Sequence, residues 1–204
     1  MKEQIWMNLR TPKQKRAHKT KKKITDVGLD LFSKKGFDNV TVDEIVKESN
    51  TSKGAFYGHF NSKYEIFLEK FKEIDDFYDQ FEKELPENLA AKEKIVKLAI
   101  AQMEYLKNEL GKDLMRTIYM NALTTNANNF LSDTDRELYV ILERFIQEGQ
   151  DNGEIPDYIS KKELSLIITR CMRGTLYDWH IFKKEMDPVV EIEKILKVVL
   201  KGIG

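Results

Sequence analysis

Within residues 52–60, SKGAFYGHF, the side chains best arranged for chemistry are Ser52, Lys53, Ala55, Tyr57 and His59. Read as a helix of about two turns, the stretch turns Phe56 and Phe60, four residues apart, to one face and leaves those five on the other. Small, basic and aromatic side chains outside a short helix suit recognition of phosphates and base edges in a DNA major groove. Catalysis finds no comparable set. His18, His59 and His180 fall on three separate helical runs, none with a partner at metal-ligand spacing, and CxxC and HxxxH are both missing. Cys171 and His180 are nine residues apart, about 13 Å along a helix, which is too far for a thiol–imidazole pair. Cys171 therefore reads as a buried core thiol. Neither GxSxG, GxxxxGK[ST] nor GxGxxG occurs, so no enzyme activity, metal or cofactor is expected.

So short a helix is unstable alone, and its neighbours must hold it. Gly36 follows a helical run ending in Lys34 and Lys35, as a left-handed terminating residue does. Thr41 and Glu44 spell a T-x-x-E capping box. Val42, Ile45 and Val46 then form one apolar stripe at helical spacing. That helix ends near Ser49-Asn50, where Asn tolerates the positive φ of a sharp corner. Ser52 caps the reading helix, and Ser62 with Glu65 makes an S-x-x-E box opening the next. Upstream, Thr11-Pro12 starts a helix as N-cap and first residue. Its basic cluster from Lys13 to Lys23 reads as phosphate or minor-groove contact, with a solvated helix face as the alternative.

The pattern T-x-x-x-I-x-x-x-x-x-x-S-K-G-x-F-Y-x-H-F-x-x-K, running from Thr41 to Lys63, resembles the helix-turn-helix of the TetR family of bacterial transcriptional repressors. With Leu31-Phe32 and the Gly36-Phe37 corner, the resemblance covers roughly residues 20–70. It implies a homodimer on a palindromic double-stranded DNA operator, released by a small effector. By the same resemblance Thr41, Tyr57, His59 and Lys63 contact phosphates, while Ser52, Lys53, Gly54 and Ala55 lie against the bases. The family usually has Gly-Val at the corner before the recognition helix. Here it is Asn50-Thr51, and Thr51 adds a hydroxyl beside the DNA-binding set.

The 204 residues carry no net charge, but the charge is unevenly placed. Residues 1–63 hold 14 Lys or Arg and 7 Asp or Glu, and the remainder is correspondingly acidic. Within the basic part, residues 1–23 hold 9 basic and 1 acidic residue, so electrostatic attraction for DNA sits in the arm and the start of the first helix. Residues 1–10 read either as disordered or as an extra helical turn. A hydrophobic content of 41% supports a real core, with no apolar run near the ~20 residues of a membrane span. The N-terminus lacks a signal-peptide h-region, so a cytoplasmic protein is expected.

The fold class expected is all-α, about nine helices. A three-helix DNA-binding domain with its arm (1–61) precedes a helical effector-binding and dimerisation domain (62–204). From Ser62 a long helix carries Phe67, Phe71, Ile74, Tyr78 and Phe81 as its stripe, until Pro86, and joins the two parts without a flexible linker. The helix over 89–110 is apolar on more than one side and therefore central, and Gly111 breaks it. Helices follow over 113–125, from a Thr134–Glu137 box after a polar loop at 125–129, from a Ser160–Glu163 box, and from Asp187-Pro188. Met103, Met115, Tyr119, Met120, Phe145, Met172 and Trp179 form a candidate effector pocket, mostly apolar and adaptable, or are simply core. Ile167, Gly174, Tyr177, Ile181, Ile195 and Val199 form a candidate dimer interface. The competing functional reading is a helical small-molecule-binding protein or enzyme that uses the C-terminal cavity without binding DNA.

Overall fold

Helix α1 (Pro12–Lys35) begins as its first residues dictate: the Thr11 hydroxyl accepts from the Gln14 N–H, and the Gln14 side chain accepts from the Thr11 N–H at 2.8 Å. The computed structural model describes residues 11–86, 88–124, 131–182 and 186–203, without the side chains of 70–72, 79, 121 and 124. The expectations for residues 1–10, Phe71 and the loop at 125–129 lie outside the described residues. The remaining elements are α2 (Val42–Glu48), α3 (Lys53–Tyr57), α4 (Tyr64–Glu84), α5 (Ala91–Tyr105) with a π-helical turn (Leu106–Leu110), α6 (Gly111–Thr124), α7 (Glu137–Asp151), α8 (Lys161–Ile181) and α9 (Pro188–Gly202). Among the described residues the fold is all-α.

The chain divides into two units between Lys72 and Glu73, inside α4. In the first, α1, α2 and α3 pack on one another around Ile24, Val40, Ile45 and Phe56, each fully buried. Phe32, Phe37 and Phe67 add a ring cluster with centroids 4.6–5.1 Å apart, a spacing at which tilted aromatic pairs attract beyond their burial. Gly28 is where α1 meets α4: a Cβ there would stand 2.7 Å from Ile66. Gly36 closes α1 at φ 79°, ψ 147°, a region open to glycine but not to side-chain-bearing residues, and its N–H reaches the Phe32 carbonyl. Asn50 takes φ 47° at the corner after α2, as expected of a residue that tolerates the left-handed region.

In the second unit α5 is central, packing against α7 and α9, while α8 packs on α6, α7 and α9. Ile95, Leu98, Met103, Ile141, Ile146, Leu164, Ile192 and Leu196 are buried between them. Gly111 does break the helical run, at φ 73°. Both halves of the Ser160–Glu163 box form, and Asp187 caps α9 with Pro188 at its first position.

Two expected caps are corrected. Glu65 does not return to Ser62. Its carboxylate accepts from the Asn61 N–H at 2.9 Å and from Asn61 Nδ2 at 2.8 Å, because Asn61 presents two donors together. Thr134 does not cap α7 either: Arg136 occupies that position, while its guanidinium reaches Asp75 at 3.0 Å. The caps that sequence could not locate are non-local. Glu154, from the α7–α8 loop, accepts from the N–H groups of Ala91 and Lys92 at 2.7 and 2.8 Å, capping α5, whose N-cap residue Ala90 has no side-chain oxygen.

Candidate nucleic-acid interface

Helix α3 is held by its N-cap and by two buried rings. The Ser52 hydroxyl accepts from the Ala55 N–H at 3.1 Å, and Phe56 and Phe60 are 0% and 2% exposed. This leaves Ser52, Lys53, Gly54 and Tyr57 exposed on the outer face, with Ala55 and His59 half-buried at its margins. Tyr57 stands 55% exposed beside an inward Phe56 ring that it meets edge-on. Gly54 has open space where a Cβ would sit, with only the Ser52 hydroxyl within 4 Å, so the backbone is accessible there.

The flanking residues divide by what already engages them. Thr41 is exposed and its oxygen accepts from the Glu44 N–H at 3.2 Å, which leaves its O–H to donate. Glu44 pairs with Lys35, and its carboxyl is held below the usual range chiefly by that lysine. Lys53 lies 2.6 Å from Asp43, whose carboxylate raises its pKa. Lys63 reaches back to the Phe37 and Val40 carbonyls at 2.7 and 2.8 Å, with its ammonium 4.2 Å from the Phe37 ring centroid. Burial there pushes its pKa down.

Thr51 is the departure from the expected outward set. It is half-buried, its hydroxyl 2.8 Å from the Ser49 hydroxyl and its N–H on the Val46 carbonyl. A pair of hydroxyls thus fixes the corner at Asn50-Thr51. Lys13, Lys15, Arg16 and Lys19 are all exposed on the first turns of α1, whereas Lys21 is drawn to Glu69 at 2.7 Å.

In the second unit Met103, Met115, Phe145 and Met172 are each at most 3% exposed, on α5, α6, α7 and α8. The Tyr119 hydroxyl donates to the Arg173 carbonyl at 3.4 Å, and burial pushes its pKa up. Trp179 is half-buried, edge-on to His180. His180 is held between the Leu176 and Lys112 carbonyls, at 2.6 and 2.8 Å. Met120 is corrected: it is 55% exposed, unlike the buried members of this set. Cys171 is half-buried rather than fully buried. On the outer flank of α8, Tyr177 and Ile181 are 58% and 52% exposed, Gly174 is exposed with nothing within 4 Å of a Cβ, and Ile167 is half-buried. Ile195 and Val199 on α9 are also half-buried.

Comparison with known proteins bears on the whole chain. Residues 24–69 match the bacterial regulatory proteins of the tetR family. Over 181 residues the chain is 21% identical to the fatty acid metabolism regulator protein of Bacillus subtilis, covering 88% of this chain and 93% of the relative. Over 57 residues, 28% of the chain and 31% of the relative, it is 42% identical to the biofilm operon icaADBC negative transcriptional regulator IcaR of Staphylococcus aureus. Thermus thermophilus FadR, a TetR-family transcriptional repressor solved in complex with lauroyl-CoA, aligns at TM-score 0.75 and 18% identity, over 90% of this chain and 95% of that one.

Proposed function

The chain belongs to the TetR family of bacterial transcriptional regulators, and we propose that α3 is its operator-reading element, presented twice by a homodimer to a palindromic site. Its function is regulatory rather than enzymatic: it is a ligand-responsive repressor. The observation that carries the DNA assignment is the outer face of α3, where Ser52, Lys53, Gly54 and Tyr57 stand exposed on a helix locked by Phe56 and Phe60. Ser52, Lys53, Gly54 and Ala55 lie against base edges. Thr41, Tyr57 and His59 contact phosphates, as does Lys63 through the N–H that its two carbonyl partners leave over. Thr51 acts through the corner that it fixes.

Residues 1–61 bind DNA in this reading, and residues 62–204 bind the effector and the second protomer. The regulator works in the cytoplasm; no described helix is long and apolar enough to cross a membrane. Met103, Met115, Phe145 and Met172, with Tyr119 and Trp179, supply adaptable apolar walls for the effector. The lauroyl-CoA bound by Thermus thermophilus FadR supports a hydrocarbon-bearing acyl thioester as that effector. The dimer forms through the exposed flank of α8 around Gly174 and through Ile195 and Val199 on α9.

A gel shift on the DNA upstream of the protein's own gene, with and without a long-chain acyl-CoA, tests this reading. Specific binding that competitor DNA does not displace, and that acyl-CoA releases, is the expected result. Binding no tighter than to random duplex overturns the operator assignment. Binding that is specific but insensitive to acyl-CoA overturns the effector class alone.

A further inference from the structure

We propose that a cleft between the N-terminal half of α5 and the C-terminal half of α9 binds an amphiphile with one hydrocarbon tail and an anionic head, at a site separate from the effector core. The cleft encloses 510 Å³, and Val96, Ile100 and Leu200 supply its apolar side chains. Val96 and Ile100, four residues apart and half-buried, form the second apolar side of α5, away from the fully buried Ile95, Leu98 and Ala99. This explains why that helix is apolar on more than one side: one side enters the core and the other lines the cleft. A row of apolar side chains at i, i+4 spacing accepts a linear tail along the helix.

The rim selects the head group. Lys92, Lys97, Lys197 and Lys201 surround the opening, against Glu93 and Glu193. Glu193 is engaged by Lys197 at 2.7 Å, so the rim keeps a positive excess, to which Lys97 and Lys201 contribute. Lysine stems lie along apolar surface while their ammonium groups reach outward, which puts the charges where the head of a buried tail emerges. A carboxylate or phosphate head is complementary there, and a quaternary ammonium head is repelled. Lys197 and Lys201 lie about 160° round α9 from Ile195 and Val199, so the cleft stays open when the proposed dimer forms.

Titration calorimetry of the full chain with dodecanoate, below its micelle-forming concentration, tests the site. The charge-reversed pair K97E/K201E should weaken binding at least tenfold, and V96W, which fills the apolar end, should remove it. Dodecyltrimethylammonium, with the same tail and the opposite head, should bind wild type at least tenfold more weakly, a comparison that needs no variant. Dodecanoate should also raise the Tm of wild type but not of V96W, since a ligand that binds only the folded state stabilises it. Operator binding by the variants serves as the control for folding. No dodecanoate binding by wild type, binding that both variants retain, or equal binding of the cationic amphiphile overturns the proposal, whatever the effector proves to be.

Discussion

Lys53 on α3 places its ammonium 2.6 Å from a carboxylate oxygen of Asp43 on α2, so the cation that the proposed operator-reading face offers is already paired. An approaching phosphate or base edge must take the place of Asp43. Lys53→Ala should weaken operator binding about tenfold or more. Asp43→Asn should strengthen it and steepen its salt dependence, because the ammonium is then free. Fluorescence anisotropy across a salt series measures both. Asp43→Asn binding with wild-type affinity and slope would show that this pair has no part in operator contact.

Lys63 ties the segment after α3 to the loop before α2 through the Phe37 and Val40 carbonyls. Lys63→Met keeps the apolar stem and removes both charged hydrogen bonds. It should cost about 1–2 kcal/mol of stability and weaken operator binding as well. Denaturant melts beside gel shifts separate the two effects. A variant as stable as wild type would mean that the carbonyls find water instead.

Neutralising Lys13, Lys15, Arg16 and Lys19, all exposed on α1, should lower affinity and flatten its salt dependence. The log–log slope should become shallower by about 0.9 for every phosphate that these residues neutralise in the wild-type complex. An unchanged slope would make this cluster a solvated helix face.

Asp187 caps α9 and meets Lys107 at 3.0 Å, and its carboxyl is held below the usual range chiefly by that lysine. Because its folded pKa is lowered, the unfolded chain takes up the proton first as pH falls. The stabilisation is therefore complete above the ordinary carboxylate range and is lost as pH falls through the folded pKa. Asp187→Ala should cost about 1 kcal/mol near neutrality, and the difference in Tm from wild type should narrow in acid. A difference that stays constant down to about pH 2, below the ordinary carboxylate range, would rule out the ionised cap as its source.

Gly174→Glu tests the dimer. Nothing lies within 4 Å of a Cβ at this position, so a side chain there starts in open space within one protomer and meets its obstacle in the proposed partner. A buried unpaired charge is poorly tolerated in an obligate interface. Sedimentation should show monomer or aggregate, with operator binding lost. A stable dimeric variant would place the interface elsewhere.

The sequence was most legible where the physics is local. The caps from Thr11, Thr41, Ser52, Ser160 and Asp187 each act on an N–H within three residues, so a short window contains them. The Ser62–Glu65 box failed within the same window, because Asn61 competed with two donors. Met120 failed for a different reason. It lies about 140° round the helix from Met115, a phase that sets it apart from the buried face whatever its residue type. Partnerships across long separations left no signal in the sequence: Lys63 with carbonyls 23 and 26 residues back, and Arg136 with Asp75, 61 residues away. The turn of Thr51 toward Ser49 was within reach of sequence reasoning, since two hydroxyls flanking a positive-φ corner can bond to each other.

The cap that Glu154 provides to α5 spans 62 and 63 residues of sequence. Chains are synthesised from the N-terminus and domains fold as units in that order. During translation, therefore, α5 leaves the ribosome long before the carboxylate that closes its first turn. Until the α7–α8 loop has been made and docked, the N–H groups of Ala91 and Lys92 are left to water. A truncation that stops short of Glu154 thus yields a nascent α5 with a frayed start, and the second unit matures only as its later half arrives.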